Sequence, residues 1–552
     1  MKQITNTFAA ISAVVGVLGC GASDGPSGSN VGTPATVFED AEPALALSIR
    51  ALPDEIEGRQ LGACLVFEDL DGDERPDIFV ASTPVGRKPV DEAFVLQNTP
   101  SGFQFHRVAL ARPIALASSC AAADVDGDGD HDIFVGGPND ALLLINNATA
   151  GSFLFEEVGV QSGLSPLQFP DVDVGASAFI QANSDGWPDL WIGHRPYGGD
   201  SNSLIDTCAM GPDDFYCTVD SVEGVSQHPS ILYLNQGDGT FVVDASSLEL
   251  SRSFYVNAVG AGDWNKDGHI DLVISNDFSE NQLLEGDGQG GFIDATDTWG
   301  VRQYNHGMGS ALADFDADGE DELYIADLGA DQLWFGSSNK NVDWSIVEAT
   351  AFHSSWAPLA ADFNHDGWMD LFVVSSGVVQ DPASLNVLGR GLPLQNYPQQ
   401  HDLLLTHRGP SGGFDAAPVP HDFDHVPSPF AGLSASADMD GDGDLELAVL
   451  SGGFPVITLR LLDGEATPRA GTMVYLKGRW PNTMALGARV EASIGQRVVS
   501  RLRVSQSGSL GVSSGGLHFG FRPERIRVVW FGGQTSVVEG PFQSPVLTIT
   551  QP

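Results

Sequence analysis

The chain has 552 residues, with 26 Lys and Arg against 73 Asp and Glu, and so a formal net charge of −47. A field of that sign repels phosphate backbones and anionic lipid headgroups, which excludes nucleic-acid binding as a function class. With 42% hydrophobic residues and with 65 Gly and 32 Pro spread throughout, it is not a disordered acidic polymer. It reads as many short strands and turns, an all-β globular protein.

At the start, Met1-Lys2 and the apolar stretch Phe8 to Leu18 are too short to span a bilayer and predict a signal peptide over 1–19. The stretch ends in Val17-Leu18-Gly19-Cys20, which resembles the lipobox of bacterial lipoproteins. The resemblance implies acylation of Cys20 and an exported lipoprotein at the outer membrane or cell surface, touching membrane only through its lipid anchor. Residues 20–36 lack apolar periodicity and suit a flexible tether.

From residue 37 the chain repeats itself. A nine-residue loop with oxygen side chains at positions 1, 3, 5 and 9 recurs seven times. The oxygen-bearing residues are Asp69, Asp71, Asp73 and Asp77; Asp124, Asp126, Asp128 and Asp132; Gln181, Asn183, Asp185 and Asp189. They continue with Asp263, Asn265, Asp267 and Asp271; Asp314, Asp316, Asp318 and Glu322; Asp362, Asn364, Asp366 and Asp370; and Asp438, Asp440, Asp442 and Glu446. Carboxylates crowded into one tight loop repel one another by several kcal/mol per pair, at about 4 kcal/mol for 4 Å and an effective dielectric of 20. A cation relieves that repulsion, and an all-oxygen shell suits Ca²⁺. Gly at position 6, as in Gly129 and Gly367, lets the backbone turn around the ion. The third loop, which begins with Gln181 and has two carboxylates, is expected to bind most weakly. Up to seven structural Ca²⁺ are expected.

An EF-hand shares the first half of this pattern but needs a bidentate Glu at position 12 and a flanking helix. Position 12 is instead Val80, Val135, Ile192, Ile274, Ile325, Val373 and Val449, within runs such as Asp132-Ile-Phe-Val. These are strands buried on both faces. A strand precedes each loop and two more follow it, about four per unit, the content of a propeller blade. Seven blades close a ring without exposed edges, and Val37-Phe38-Glu39 would complete the last one. The fold expected is a seven-bladed β-propeller with calcium-binding hairpin loops over 37–465, followed by a small C-terminal β domain over 466–552. The charge supports that boundary: residues 466–552 hold 10 basic and 3 acidic side chains, the first 465 hold 16 and 70. The basic tail is expected to dock on its own acidic propeller, the alternative being an acidic polymer.

The loops with their following strands resemble the FG-GAP or VCBS repeats of integrin-α-type propellers. In the tail, Gly478-Arg-Trp-Pro-Asn482, Leu486-Gly-Ala-Arg-Val490, Leu517-His-Phe-Gly520 and Arg527-Val-Val-Trp530 resemble the ASPIC/UnbV domain, which follows such propellers in the cartilage-acidic-protein family. The resemblance implies an extracellular calcium-stabilised scaffold.

Export permits disulfides. Cys208 and Cys217 bracket a short polar loop and are expected to form a local bridge. Cys64 and Cys120 precede equivalent points of consecutive repeats, so they pair across adjacent blades or remain buried thiols. The two widest repeat spacings come from long connections, His194 to Ser230 and Ser375 to Gln400, which emerge on the face opposite the acidic loops. Long loops in a domain are commonly functional, so a partner is expected there. Tyr197, Phe215 and Tyr216 are candidate contributors; Trp187 and Trp368 belong to the calcium side; His421, Asp422, Asp424 and His425 form a weaker candidate for a transition metal. No catalytic residue stands out: there is no Gly-x-Ser-x-Gly, His-Glu-x-x-His or phosphate-cradling loop, and Ser337-Ser-Asn-Lys340 lacks companion motifs. The first reading is a binding or adhesion module for a protein or polysaccharide. The alternatives are a polysaccharide lyase on the same scaffold and a scaffold subunit of a surface complex.

Overall fold

A computed structural model describes residues 38–40 and 60–552, apart from 84–89, 115–116, 149–151, 166–171, 197–206, 211–214, 219–228, 247–254, 278, 302–303, 306, 328–330, 336–342, 348–349, 351–354, 376–401, 420–431, 454–455, 465–470, 506–510 and 514. The leader, Cys20 and the tether lie outside the described residues, as do Tyr197, Ser337 to Lys340 and the histidines of 421–425.

Every acidic loop joins the first two strands of an antiparallel four-stranded sheet. In sheet two, for example, the order is Ser119–Ala123, Asp132–Gly137, Asp140–Asn146 and Phe155–Glu157. Seven sheets of this plan occur among the described residues. Their first strands are Gln60–Glu68, Ser119–Ala123, Val172–Ile180, Val256–Gly262, Gly307–Ala313, Ser355–Ala361 and Leu433–Ala437. Each lies beside the next, and the last lies beside the first, so they line the axis of a propeller. Side-chain space between them is scarce: a Cβ on Gly309 would stand 2.1 Å from the Trp356 carbonyl oxygen, which demands glycine.

The apolar run after each loop is buried on both sides because each sheet is sandwiched between two others. Strand Asp132–Gly137 is buried throughout. Ile133 and Val135 face sheet one, and Phe134 faces sheet three. One such cluster fills each of the seven gaps between neighbouring sheets. At about 1.5–3 kcal/mol for each fully buried large apolar side chain, these clusters are the main cohesive term. The ring is closed by the short strand Phe38–Asp40, which pairs with Leu462–Gly464 as the outer strand of sheet seven. A disulfide joins Cys64 and Cys120 on the first strands of sheets one and two, with Cα atoms 5.2 Å apart. Cys208 and Cys217 are register partners in a hairpin formed by Thr207–Met210 and Phe215–Thr218; the expected bridge, like the rings of Phe215 and Tyr216, falls on side chains outside those described.

The tail holds two small sheets. Leu517–Phe519, Thr472–Lys477 and Val546–Thr550 form one; Arg497–Leu502, Arg489–Ile494, Arg525–Val529 and Thr535–Glu539 form the other. Their shared core includes Val490, Ile526, Val528 and Trp530. Residues 36–552 behave as one compact unit, and the tail contributes to the ring directly: Gly511–Val512 pairs in parallel with Leu65 and Val66 on the first strand of sheet one.

Candidate metal centres and the docked tail

The seven loops share one hydrogen-bond frame. The position-9 carboxylate accepts from the position-2 amide in every loop, from Leu70 N to Asp77 Oδ2 (3.1 Å) through Met439 N to Glu446 Oε2 (2.6 Å). The position-3 side chain accepts from the position-5 amide, and the position-5 carboxylate from the position-7 amide, again in all seven. Positions 4 and 6 both adopt left-handed backbone. Position 6 is glycine except for Glu74 (φ 68°), but position 4 is Ser184, Lys266, Ala317 and His365 in four loops. Each such non-glycine residue costs on the order of 1–2 kcal/mol. The side-chain acceptors hold them there.

Position 9 also grips the third strand, a role invisible in the loop sequence. Asp77, Asp132, Asp189, Asp271 and Asp370 accept through Oδ1 from the amides of Asn98, Asn146, Asn235, Gly286 and His407, at 2.8–3.0 Å. The three asparagines then reach the preceding sheet: their Nδ2 groups donate to the carbonyls of Met439, Leu70 and Val125. A loop, its own third strand and the neighbouring loop are thus tied together.

Four loops bring three carboxylates together with one oxygen of each within 4.8 Å of the others: Asp69, Asp71, Asp77; Asp124, Asp126, Asp132; Asp314, Asp316, Glu322; and Asp438, Asp440, Glu446. In loops four and six Asn265 and Asn364 stand at position 3, each with Nδ2 on the position-5 carboxylate. Loop three differs. Gln181 donates to the Gly186 carbonyl (3.0 Å), where an aspartate at that position accepts from the position-6 amide, as Asp124 does from Gly129.

The fit to a cation rests on oxygens left without donors. Asp263 Oδ1, Asp314 Oδ1 and Gln181 Oε1 are buried and have no hydrogen-bond partner. A buried carboxylate oxygen in that state is costly unless a cation satisfies it. Burial pushes the carboxyls up, and neighbouring carboxylates push them further: Glu322 to about 9, Asp77 and Asp370 to about 8, Asp362 and Asp438 to about 7. Without a cation, this ring resists carrying its own charge.

The basic tail is docked on the loop side of the ring and meets all seven loops. Lys477 pairs with Glu74 of loop one (3.5 Å). Thr483 Oγ1 donates to Asp124 Oδ2 of loop two. Pro481 packs on Gly186 of loop three, and Trp480 stands edge-on to Trp187, with centroids 5.3 Å apart. Burial raises the Asp263 carboxyl of loop four, an effect the Arg489 guanidinium partly offsets, and Arg489 also reaches Asp321 of loop five at 3.8 Å. Arg497 lies over the Trp368 ring of loop six at 4.4 Å while His407 stacks on the same indole. Pro545 packs on Gly443 of loop seven. Arg501 is half-buried; burial pushes its guanidinium down, and Asp314, Asp321 and Asp362 push it back up. Arg503 and the Gly515 amide converge on Glu68 just before loop one, at 3.9 and 3.0 Å. Sequence reasoning placed Trp187 and Trp368 on this side and expected the basic tail to dock on its own acidic propeller, but did not place that docking on the loop side, where the tail meets both indoles.

On the opposite side, Arg195 pairs with Asp173 (2.9 Å), which also accepts from Ser118 Oγ (2.6 Å). Burial pushes the neighbouring Tyr255 phenol up. This cluster links sheets two, three and four at that end.

Four stretches of the chain, 69–135, 211–274, 263–325 and 314–373, match the FG-GAP-like repeat family, and residues 478–552 match the ASPIC and UnbV family. The molecule is therefore an all-β FG-GAP-repeat propeller with a C-terminal ASPIC/UnbV domain. It is homologous to cartilage acidic protein 1: the Xenopus tropicalis protein is 25% identical over 465 residues, an alignment covering 79% of this chain and 65% of that protein. The chain thus spans just under two thirds of that relative's length. Among solved structures, an Agrocybe aegerita lectin that recognises non-reducing terminal N-acetylglucosamine is 15% identical with a TM-score of 0.40, covering 68% of this chain and 89% of its own. The exotype rhamnogalacturonan lyase YesX is 11% identical with a TM-score of 0.34, covering 90% and 92%.

Proposed function

We propose that this protein is a calcium-stabilised binding or adhesion module, held at a bacterial surface through acylated Cys20. It recognises a protein or polysaccharide through the propeller face opposite the acidic loops. The observation that carries this reading is the docked tail: the loop side is taken up by the chain's own basic domain, so the side available to a partner is the other one. The second strands of sheets three and six, which precede the longest connections in the sequence, also end on that side, at Pro196 and Ser375. Calcium, up to seven ions, would be held by the position-1, -3, -5 and -9 oxygens and would supply the charge that the buried carboxylates lack.

The test is capture of surface proteins and glycans by the full chain, with calcium and with chelator. A chain with the connections between His194 and Ser230 and between Ser375 and Gln400 cut short is expected to lose capture while melting as the parent does in calcium. Undiminished capture would overturn the choice of face. Release of unsaturated uronates from a glycan panel would move the reading to a lyase. Against that alternative, the one Arg–Tyr–Asp grouping on the opposite side among the described residues is committed to itself: Arg195 is neutralised by Asp173, and Tyr255 is pushed away from a basic role.

A further inference from the structure

Residues 478–486 of the tail form a rigid turn. The Gly478 amide donates to the Thr483 carbonyl (2.7 Å), Asn482 brackets Leu486 through both its amide oxygen and nitrogen (2.8 Å each), and Met484 and Leu486 complete the apolar core between sheets two and three. A Cβ at Gly127 of loop two would stand 2.7 Å from Trp480 Nε1, so turn and loop fit without spare room. From this anchored position Thr483 Oγ1 donates to Asp124 Oδ2. Asp124 otherwise accepts only from amides of its own loop: Gly127 and Asp128 on Oδ1, Gly129 on Oδ2. Among the described residues it is the one first-position carboxylate that a tail side chain hydrogen-bonds.

We infer that Thr483 is a positioning residue of the second loop's cation site, so that this site is complete only with the tail docked and cation binding there strengthens the docking. The inference rests on the cation reading above and adds a specific coupling to it. Asp124 can face a cation with one oxygen while Thr483 and Gly129 fix the other, which sets the plane of the carboxylate. Partners that orient ligating carboxylates matter about 10–100-fold in affinity when removed. Linkage then makes the effect reciprocal: whatever factor tail docking adds to cation affinity, the cation adds to docking. Loop one offers the contrast. Asp69, Asp71 and Asp77 converge equally well, but among the described residues no tail side chain hydrogen-bonds Asp69; the Lys477–Glu74 pair there joins two exposed side chains.

The experiment is a calcium titration of the full chain by calorimetry, with terbium luminescence as a second readout, on the parent, Thr483→Val and Thr483→Ser. With Val, one site is expected to weaken about 10-fold while the others stay unchanged, and Ser restores it. A superimposable Val isotherm overturns the inference, as does equal weakening at every site. A parent chain that binds no calcium defeats the cation reading itself and this inference with it. Amide exchange gives an independent arm that needs no Val variant: calcium is expected to slow exchange across 478–486 in the parent but not in Asp124→Asn. Equal slowing in both would also overturn it.

Discussion

The two sides of the ring are built by opposite rules. On the loop side, seven nine-residue segments repeat the same hydrogen bonds to within a few tenths of an ångström, and a basic domain sits across them. On the other side the connections differ in length from sheet to sheet, and the polar groups repeat only in part: sheets four, five and six bond the last amide of the second strand to Asn281, Asp331 and Asp402 just before the third, while sheet three pairs Arg195 with Asp173. Chemistry repeated seven times around a ring serves the ring. Chemistry that occurs once is where a particular ligand would be read.

That contrast can be broken at several points. The largest effect is expected from chelation: stripping the proposed calcium should lower the melting temperature by more than about 10 °C, since cations bound only to the folded chain stabilise it by mass action. An unmoved melt by calorimetry would end the argument. The chelated protein should also show an inverted pH dependence. Carboxyls raised to about 7–9, as in Asp362, Asp77 and Glu322, hold their protons more tightly folded than unfolded. Their contribution is therefore full below the ordinary carboxyl value of about 4 and lost as pH rises through about 7–9. Denaturation midpoints in chelator should fall from pH 5 to pH 9, and calcium should abolish the decline. Next comes Arg501→Met, which removes a positive charge felt by Asp314, Asp321 and Asp362; about 1–2 kcal/mol of stability is expected to go, measured by denaturant melts in chelator. Asn146→Ala cuts one tie between adjacent sheets and should cost about 1–2 kcal/mol. The smallest effect is a gain. Glu74→Gly relieves a left-handed residue and should stabilise by about 1 kcal/mol, because its ion pair with Lys477 joins two exposed side chains.

How much of this the amino-acid order discloses depends on distance along the chain. The loop spacing, the position-6 glycines and the apolar strands after each loop are local, and they are enough to read an all-β repeat and the residues of its candidate sites. The left-handed position 4 is also local, but Lys266, Ala317 and His365 hide it, because neighbours rather than propensity hold them there. The grip of Asp132 on Asn146, and of Asn146 on the previous loop, joins separate strands and leaves no periodic trace. The tail's cover leaves only a coarse signal, its charge. A balance of +7 after residue 465 against −54 before it makes docking electrostatically natural but names neither Thr483 nor Arg501.

The clasp between Phe38–Asp40 and Leu462–Gly464 bears on how the molecule is made. Its two halves emerge from the ribosome more than four hundred residues apart, so the circle cannot shut until the seventh sheet exists. Until then the first strand waits unpaired, and the axis is open. The segment Gly511–Val512 that later lies along it is synthesised after the clasp. The two ends of the described chain are thus both used by the ring: the start completes sheet seven, and the tail adds a strand to sheet one.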